Sequence, residues 1–226
     1  RSARWGRGRS LSEWRPGGGR RREAGDSRLV DAHTHLIFGG WRQNELGMKL
    51  HGKSYLDIQN AGGGIQSTTN ATRQATEEEL TQKAAKSLDE MMRFGTTTCE
   101  AKSGYGLALE HELKQLRAIR RLQEEHPMDV TATFMGAHLV PAEYKQDRAE
   151  YIRLVCEEMM PAVKEQGIAK FCDVFCEADT FTVEESRQIL ELAFAMACVP
   201  KFTPTRSSPS AALSWPGKSA RSPRNT

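Results

Sequence analysis

Two histidines spaced i and i+2, His33 and His35, interrupt the apolar stretch Leu29-Val30-Asp31-Ala32-His33-Thr34-His35-Leu36. In an extended strand alternate side chains share a face, so the two imidazoles project side by side and can converge on one ion. Catalytic zinc sites usually take about three protein ligands and leave a position for water, which makes His-x-His half of a metal site. A bound divalent metal would lower the pKa of its water toward about 7 and supply hydroxide for hydrolysis at neutral pH. Three further residues suit such chemistry. Arg42, just past the first strand, can fork onto a carboxylate, and Tyr105 and His138 offer directional hydrogen bonds to a polar ring or carbonyl. Taken singly, these are a strand with two chance histidines, an exposed arginine, a packed tyrosine and a satisfied histidine. Their joint placement at strand ends is what points to a site.

The elements that must position them follow from hydrophobic periodicity. Thr76-Glu77-Glu78-Glu79 is a capping box, Leu80, Ala84, Leu88 and Met91 recur at helical spacing, and Gly95 closes that helix. Thr96–Ala101 is rich in β-branched residues and reads as a strand ending at Lys102-Ser103-Gly104-Tyr105-Gly106. Leu109, Leu113, Leu116, Ile119 and Leu122 mark a second helix that stops near Pro127. Val130–Met135 is a third strand running into Gly136-Ala137-His138. A third helix covers about Arg148 to Glu165, a fourth strand Phe171–Glu177, and a second capping box at Thr182 opens a helix to about Ala197. Before Thr76 the spacing predicts only a short helix over Ser54–Ile58 and a flexible loop at Ala61–Ile65. Strands alternating with long helices predict a parallel sheet with helices outside it, and each strand's C-terminal end carries a polar residue. In a (β/α)8 barrel those ends form the active-site mouth. A doubly wound sheet would advertise a glycine-rich turn after the first strand, and Gly39-Gly40 does not fit G-x-G-x-x-G.

Charge is unevenly placed along the 226 residues. Residues 1–28 hold nine Arg against three acids, a net of +6, and residues 201–226 hold five basic residues and no acid. Since the whole chain carries +3, residues 29–200 carry −8. The body therefore offers no basic face for nucleic acid, and the arginine-rich start reads as a basic disordered segment. No run of about 18 apolar residues spans a membrane, and the first residues lack the apolar core of a secretory signal. Five cysteines without a Cys-x-x-Cys read as reduced buried thiols of a cytoplasmic protein.

The ordered motifs Val30-Asp31-Ala32-His33-Thr34-His35, Phe38-Gly39-Gly40-x-Arg42-x-Asn44-Glu45, Ala61-Gly62-Gly63-Gly64-Ile65, Glu100–Leu107, Gly136-Ala137-His138 and Asp173–Glu177 resemble the imidazolonepropionase family of the amidohydrolase superfamily. The resemblance covers residues 29 to 201. It implies an α/β fold, the N-terminal half of a metal-bearing (β/α)8 barrel with four βα units. It also implies one divalent metal, zinc or iron. The implied reaction opens the ring of a small molecule, 4-imidazolone-5-propanoate, to N-formimidoyl-L-glutamate in histidine breakdown, with no nucleic-acid or membrane partner and a homodimer as the candidate assembly. Position by position, His33 and His35 match the metal pair, and Arg42, Tyr105 and His138 match substrate contacts, with Arg42 meeting the propanoate carboxylate. In the implied mechanism metal-bound hydroxide attacks the ring carbonyl and a carboxylate moves the protons; no residue of this chain is assigned that catalytic role. The alternatives are another amidohydrolase acting on a cyclic amide or an aminated ring, or a catalytically dead binding or assembly protein.

The resemblance also sets an expectation for the end of the chain. The family pattern would continue past Lys201 as a strand like Ile-His-Ala-Asp-Glu, whereas the sequence reads Phe202-Thr203-Pro204-Thr205-Arg206. Codons ATT CAC GCC GAC GAG without their first base encode Phe-Thr-Pro-Thr followed by Arg or Ser. The expectation is therefore a partial barrel over 29–201 and a disordered, out-of-frame tail over 202–226.

Overall fold

Leu29–Thr34 (β1), Thr96–Lys102 (β2), Asp129–Ala137 (β3), Phe171–Phe175 (β4) and Val199–Thr203 (β5) form one sheet in the order β1-β2-β3-β4-β5, every pair parallel. A computed structural model describes residues 29–54, 57, 63–177 and 180–203. The expected segment 1–28, most of the Ser54–Ile58 helix and residues 204–226 lie outside the described residues. Strands laid down in sequence order, with no reversal, wind the sheet in one direction as a (β/α)8 barrel does and as a doubly wound sheet does not. The architecture is α/β, a parallel partial barrel.

Side-chain parity shows which face is which. Cys99 and Ala101 of β2, Val130, Ala132 and Phe134 of β3, and Cys172 and Val174 of β4 are buried in one apolar core with the helices. The alternate residues, Glu100, Lys102, Thr133, Asp173 and Lys201, face the opposite, concave side and bond to one another there. Glu77–Arg93 (α3) and Leu109–Glu125 (α4) pack their Leu80, Ala84, Leu88, Leu116, Ile119 and Leu122 onto the outer face. Both expected capping boxes form, at Thr76 with Glu79 and at Thr182 with Glu185, the second opening Val183–Ala195 (α7). The third expected helix is Arg148–Leu154 (α5) continuing through a π-helical turn, Val155–Met159, into Met160–Gln166 (α6), which Gly167 ends in the left-handed conformation.

Three features exceed the sequence expectation. Gln43–Leu50 (α1) and Ile65–Gln74 (α2) are helices where polar connections were expected. α1 buries no residue, and the buried residues of α2 are Thr68, Thr69 and Thr72, so neither announces itself by an apolar stripe. β5 is a fifth strand. Its Phe202 and Thr203 pair with Val174 and Phe175, so the expected boundary after residue 201 falls inside a strand.

Candidate active site

The C-terminal ends of β1, β2 and β3 bring His33, His35, Tyr105 and His138 into one aromatic cluster. Ring centroids are 5.6 Å apart for His33 and His35, 5.3 Å for His35 and Tyr105, 5.2 Å for Tyr105 and His138, and 4.6 Å for His35 and His138. Phe38 lies 6.3 Å from Tyr105 and Phe175 lies 6.1 Å from His138, walling the cluster on two sides. Arg42 stands exposed at the N-cap position of α1. Burial raises the Tyr105 phenol pKa, and the Arg42 charge is near enough to oppose that rise. The structure thus gathers four of the five residues singled out by spacing into one cluster and leaves Arg42 exposed on the turn beyond it.

Burial sets the protonation states. His35 is pushed down to about 3, chiefly by desolvation and then by His138, His33 and Lys102, so its imidazole is neutral. His138 is also lowered by burial, against a smaller upward pull from its bond to Gly104. Its Nδ1 is 2.8 Å from the Gly104 carbonyl oxygen. A carbonyl only accepts, so Nδ1 carries the hydrogen and Nε2 of the neutral ring keeps a lone pair.

The loop after β2 is held from α4. Glu112, fully buried, accepts from Gly104 N at 3.0 Å and Leu107 N at 2.7 Å, and Gln115 accepts from Gly106 N at 2.8 Å. Gly104 has φ +102°, and a Cβ there would meet Met135 O at 2.8 Å and His138 Cβ at 3.1 Å. Only glycine suits that position. The turn carrying Arg42 is clamped by Lys83, whose Nζ donates to Phe38 O at 3.0 Å and to Gly40 O and lies over the Phe38 and Trp41 rings.

Beneath the histidines the concave face holds a buried ion network. Lys102 Nζ is 2.7 Å from Asp173 Oδ2 and 3.0 Å from Glu100 Oε2, and Glu100 Oε1 is 2.7 Å from Lys201 Nζ. Burial alone would raise the Glu100 pKa, but bonds from Lys201, Thr133 and Lys102 hold it below the usual carboxylate range. Spacing singled out neither this network nor Glu112 and Gln115. The available signal was polar residues at buried parity: Glu112 and Gln115 share the helix face of Leu116, Ile119 and Leu122.

The donor set can be tested for a metal. Nδ1 of His35 is buried with no hydrogen-bond partner among the described residues, a cost that a ligated ion would remove. Both rings come from one strand end, and a neutral imidazole is the ligating form. The pair therefore fits two positions of a coordination shell. Among the described residues no group of three or more His, Cys, Asp or Glu side chains is placed to hold an ion.

Comparison with known proteins decides the family. A protein of Alkaliphilus metalliredigens (strain QYMF) named imidazolonepropionase is 59% identical over 165 residues, 73% of this chain and 39% of that protein. The chain belongs to the imidazolonepropionase family. An imidazolonepropionase of Clostridium tetani (strain Massachusetts / E88) is 55% identical over 162 residues, covering 72% of this chain and 39% of the relative. One of Geobacillus kaustophilus (strain HTA426) is 52% identical over 173 residues, covering 76% and 41%. The chain thus spans about two fifths of the length of the curated relatives it matches. No protein-family model matches it. No helix among the described residues is long and apolar enough to cross a membrane.

Proposed function

We propose that this chain carries the substrate-facing wall of a hydrolase that opens the ring of 4-imidazolone-5-propanoate to N-formimidoyl-L-glutamate in histidine degradation. The observation that carries the reading is the convergence of Tyr105, His138 and the His33–His35 pair at one end of the sheet, with Arg42 on the turn beyond, in a chain that over 73% of its length is 59% identical to a protein named imidazolonepropionase. Arg42 binds the propanoate carboxylate through its planar fork of donors. Tyr105, its phenol kept protonated by burial, donates to the ring carbonyl. His138, with Nδ1–H spent on Gly104, presents Nε2 as an acceptor to a ring N–H. A donor and an acceptor 5.2 Å apart by ring centroid read adjacent edges of a small polar ring and orient it against the histidine pair. His33 and His35 would hold one divalent metal, zinc or iron, which supplies a hydroxide at neutral pH when bound. The acidic body and five free cysteines suit a cytoplasmic setting, a small-molecule substrate and no nucleic-acid partner; a homodimer is the assembly to look for.

Binding of imidazole-4-propanoate, which keeps the ring and the carboxylate but lacks the scissile carbonyl, tests this reading. The 226-residue chain should bind it saturably, with the His138 and Tyr105 ring resonances moving, and Arg42→Gln should weaken binding about tenfold. Absence of saturable binding at millimolar ligand overturns the reading.

A further inference from the structure

Two polar side chains one turn apart on the apolar face of α4 accept from all four backbone amides between Gly104 and Leu107, while Arg73 donates to the Gly106 and Leu107 carbonyls. Glu112 Oε2 accepts from Gly104 N and its Oε1 from Leu107 N; Gln115 Oε1 accepts from Gly106 N at 2.8 Å and from Tyr105 N at 3.3 Å. Both side chains are fully buried. The loop lies flush on the helix start, since a Cβ on Gly106 would meet the His111 carbonyl carbon at 2.6 Å and Glu112 N at 2.7 Å. Satisfying loop amides would by itself be a structural duty. The connections go further. Gln115 Nε2 donates to Ile37 O at 2.6 Å, two residues past His35. Gly104, held by Glu112, accepts from His138 Nδ1, and Ser103 Oγ accepts from Met135 N at 2.9 Å on β3. One pair of side chains therefore ties the ends of β1, β2 and β3 together at the three points from which His35, Tyr105 and His138 project.

We propose that Glu112 and Gln115 are positioning residues, which set Tyr105 and His138 against His35 through the backbone of the 103–107 loop. The role rests on reading Tyr105 and His138 as substrate contacts. It places specificity in groups that never touch the ligand: the donor on Tyr105 and the acceptor on His138 keep their spacing only while four loop amides have buried oxygen partners.

The test uses the 226-residue chain and two independent readouts. Gln115→Met keeps the volume but removes both acceptor bonds and the bond to Ile37. It should lower imidazole-4-propanoate affinity at least tenfold and move the His138 and His35 ring resonances toward those of free histidine, while far-ultraviolet circular dichroism keeps its helix and sheet. Gln115→Glu retains an acceptor oxygen toward Tyr105 and Gly106 and, with its buried carboxyl protonated, a donor toward Ile37 O, and should recover affinity to within about threefold of the unaltered chain. Resonances and affinity unchanged in Gln115→Met overturn the proposal, as does a loss that Gln115→Glu does not rescue. If the variants fail to fold, amide exchange in the unaltered chain decides. The Gly104, Tyr105, Gly106 and Leu107 amides should be protected as strongly as those of β2, and exchange at exposed-loop rates overturns the idea. Should the unaltered chain not bind the analogue, the substrate reading fails, and the ring resonances and exchange rates still judge the positioning claim.

Discussion

The imidazoles of His35 and His138 lie face to face, ring centroids 4.6 Å apart and planes 18° from parallel. The lone pair of an imidazole nitrogen lies in the ring plane, so two stacked rings cannot both aim at one ion. His33 and His35, with planes 65° apart, can. The cluster therefore divides by geometry into a pair whose ring planes can meet at one ion and a stacked ring that cannot join them.

That division predicts opposite phenotypes for two neighbouring histidines. Zinc or iron(II) titrated into the chain should bind weakly, in the micromolar range or above, because two imidazoles fall short of the roughly three protein ligands of a catalytic site. His35→Ala should weaken that binding at least tenfold. His138→Ala should leave it within about twofold while abolishing analogue binding. Calorimetry with a chelator-stripped sample checks both, and equal effects of the two substitutions on metal affinity would refute the division.

Gly104→Ala should be destabilising and should disturb the site together. The φ of +102° is strained for any L side chain, and the added carbon would press on Met135 O and His138. The expected cost is about 1–3 kcal/mol, read from urea unfolding, together with a shifted His138 resonance. A variant as stable as the parent would show that the loop tolerates another path.

How much of this was legible in the sequence depends on what each residue contacts. The strands and long helices from Thr76 to Ala195 follow the spacing of Leu80, Leu88, Leu116 and Ile119 because those elements bury an apolar face. α2 escaped because its buried residues are threonines, Thr68, Thr69 and Thr72, with Thr72 Oγ1 accepting from Gly39 N, and α1 escaped because it buries no residue. Spacing found His33, His35, Arg42, Tyr105 and His138, since each ends a strand or follows one. Glu112 and Gln115 fall on the helix face of Leu116, Ile119 and Leu122, but a polar residue there does not say what it binds, and Lys102 reads as a polar strand end. Their roles depend on loop amides and on Asp173, 71 residues away, which no local pattern encodes.

Lys102 predicts the largest stability loss. Its side chain is 1% exposed, between Asp173 at 2% and Glu100 at 4%. Lys102→Met removes the charge at nearly constant volume and leaves two buried carboxylates, Glu100 still paired with Lys201 and Asp173 with only the Thr203 hydroxyl and its own strand among the described residues. Removing one partner of a buried ion pair costs about 3–5 kcal/mol, because the other charge stays buried. The double variant Lys102→Met with Asp173→Asn should recover part of that loss. Urea unfolding of the single and double variants measures the coupling, and a single-variant loss under about 1 kcal/mol would mean that water reaches the network.

Stability should fall as the solution is acidified below about pH 6.5, and part of the fall should trace to a histidine outside the site. His126 is nearly buried; its Nδ1 accepts from Met128 N at 3.2 Å, which leaves the hydrogen on Nε2, 3.3 Å from Asp89 Oδ1. Protonating Nδ1 would break the Met128 bond. Burial lowers the pKa of His126 from 6.5, against an opposing pull from Asp89, and His35 and His138 are lowered as well. With folded-state values below the unfolded one, stability is full above 6.5. It is lost as the pH drops and the unfolded chain takes up protons that the folded chain refuses. Each such group contributes a slope of up to about 1.4 kcal/mol per pH unit inside its window. Urea midpoints measured without metal between about pH 7 and pH 5 should decline, and His126→Gln, whose side-chain oxygen can still accept from Met128, should make the decline shallower. A midpoint that is flat or rises on acidification across that interval would show that the buried imidazoles accept protons in the folded chain.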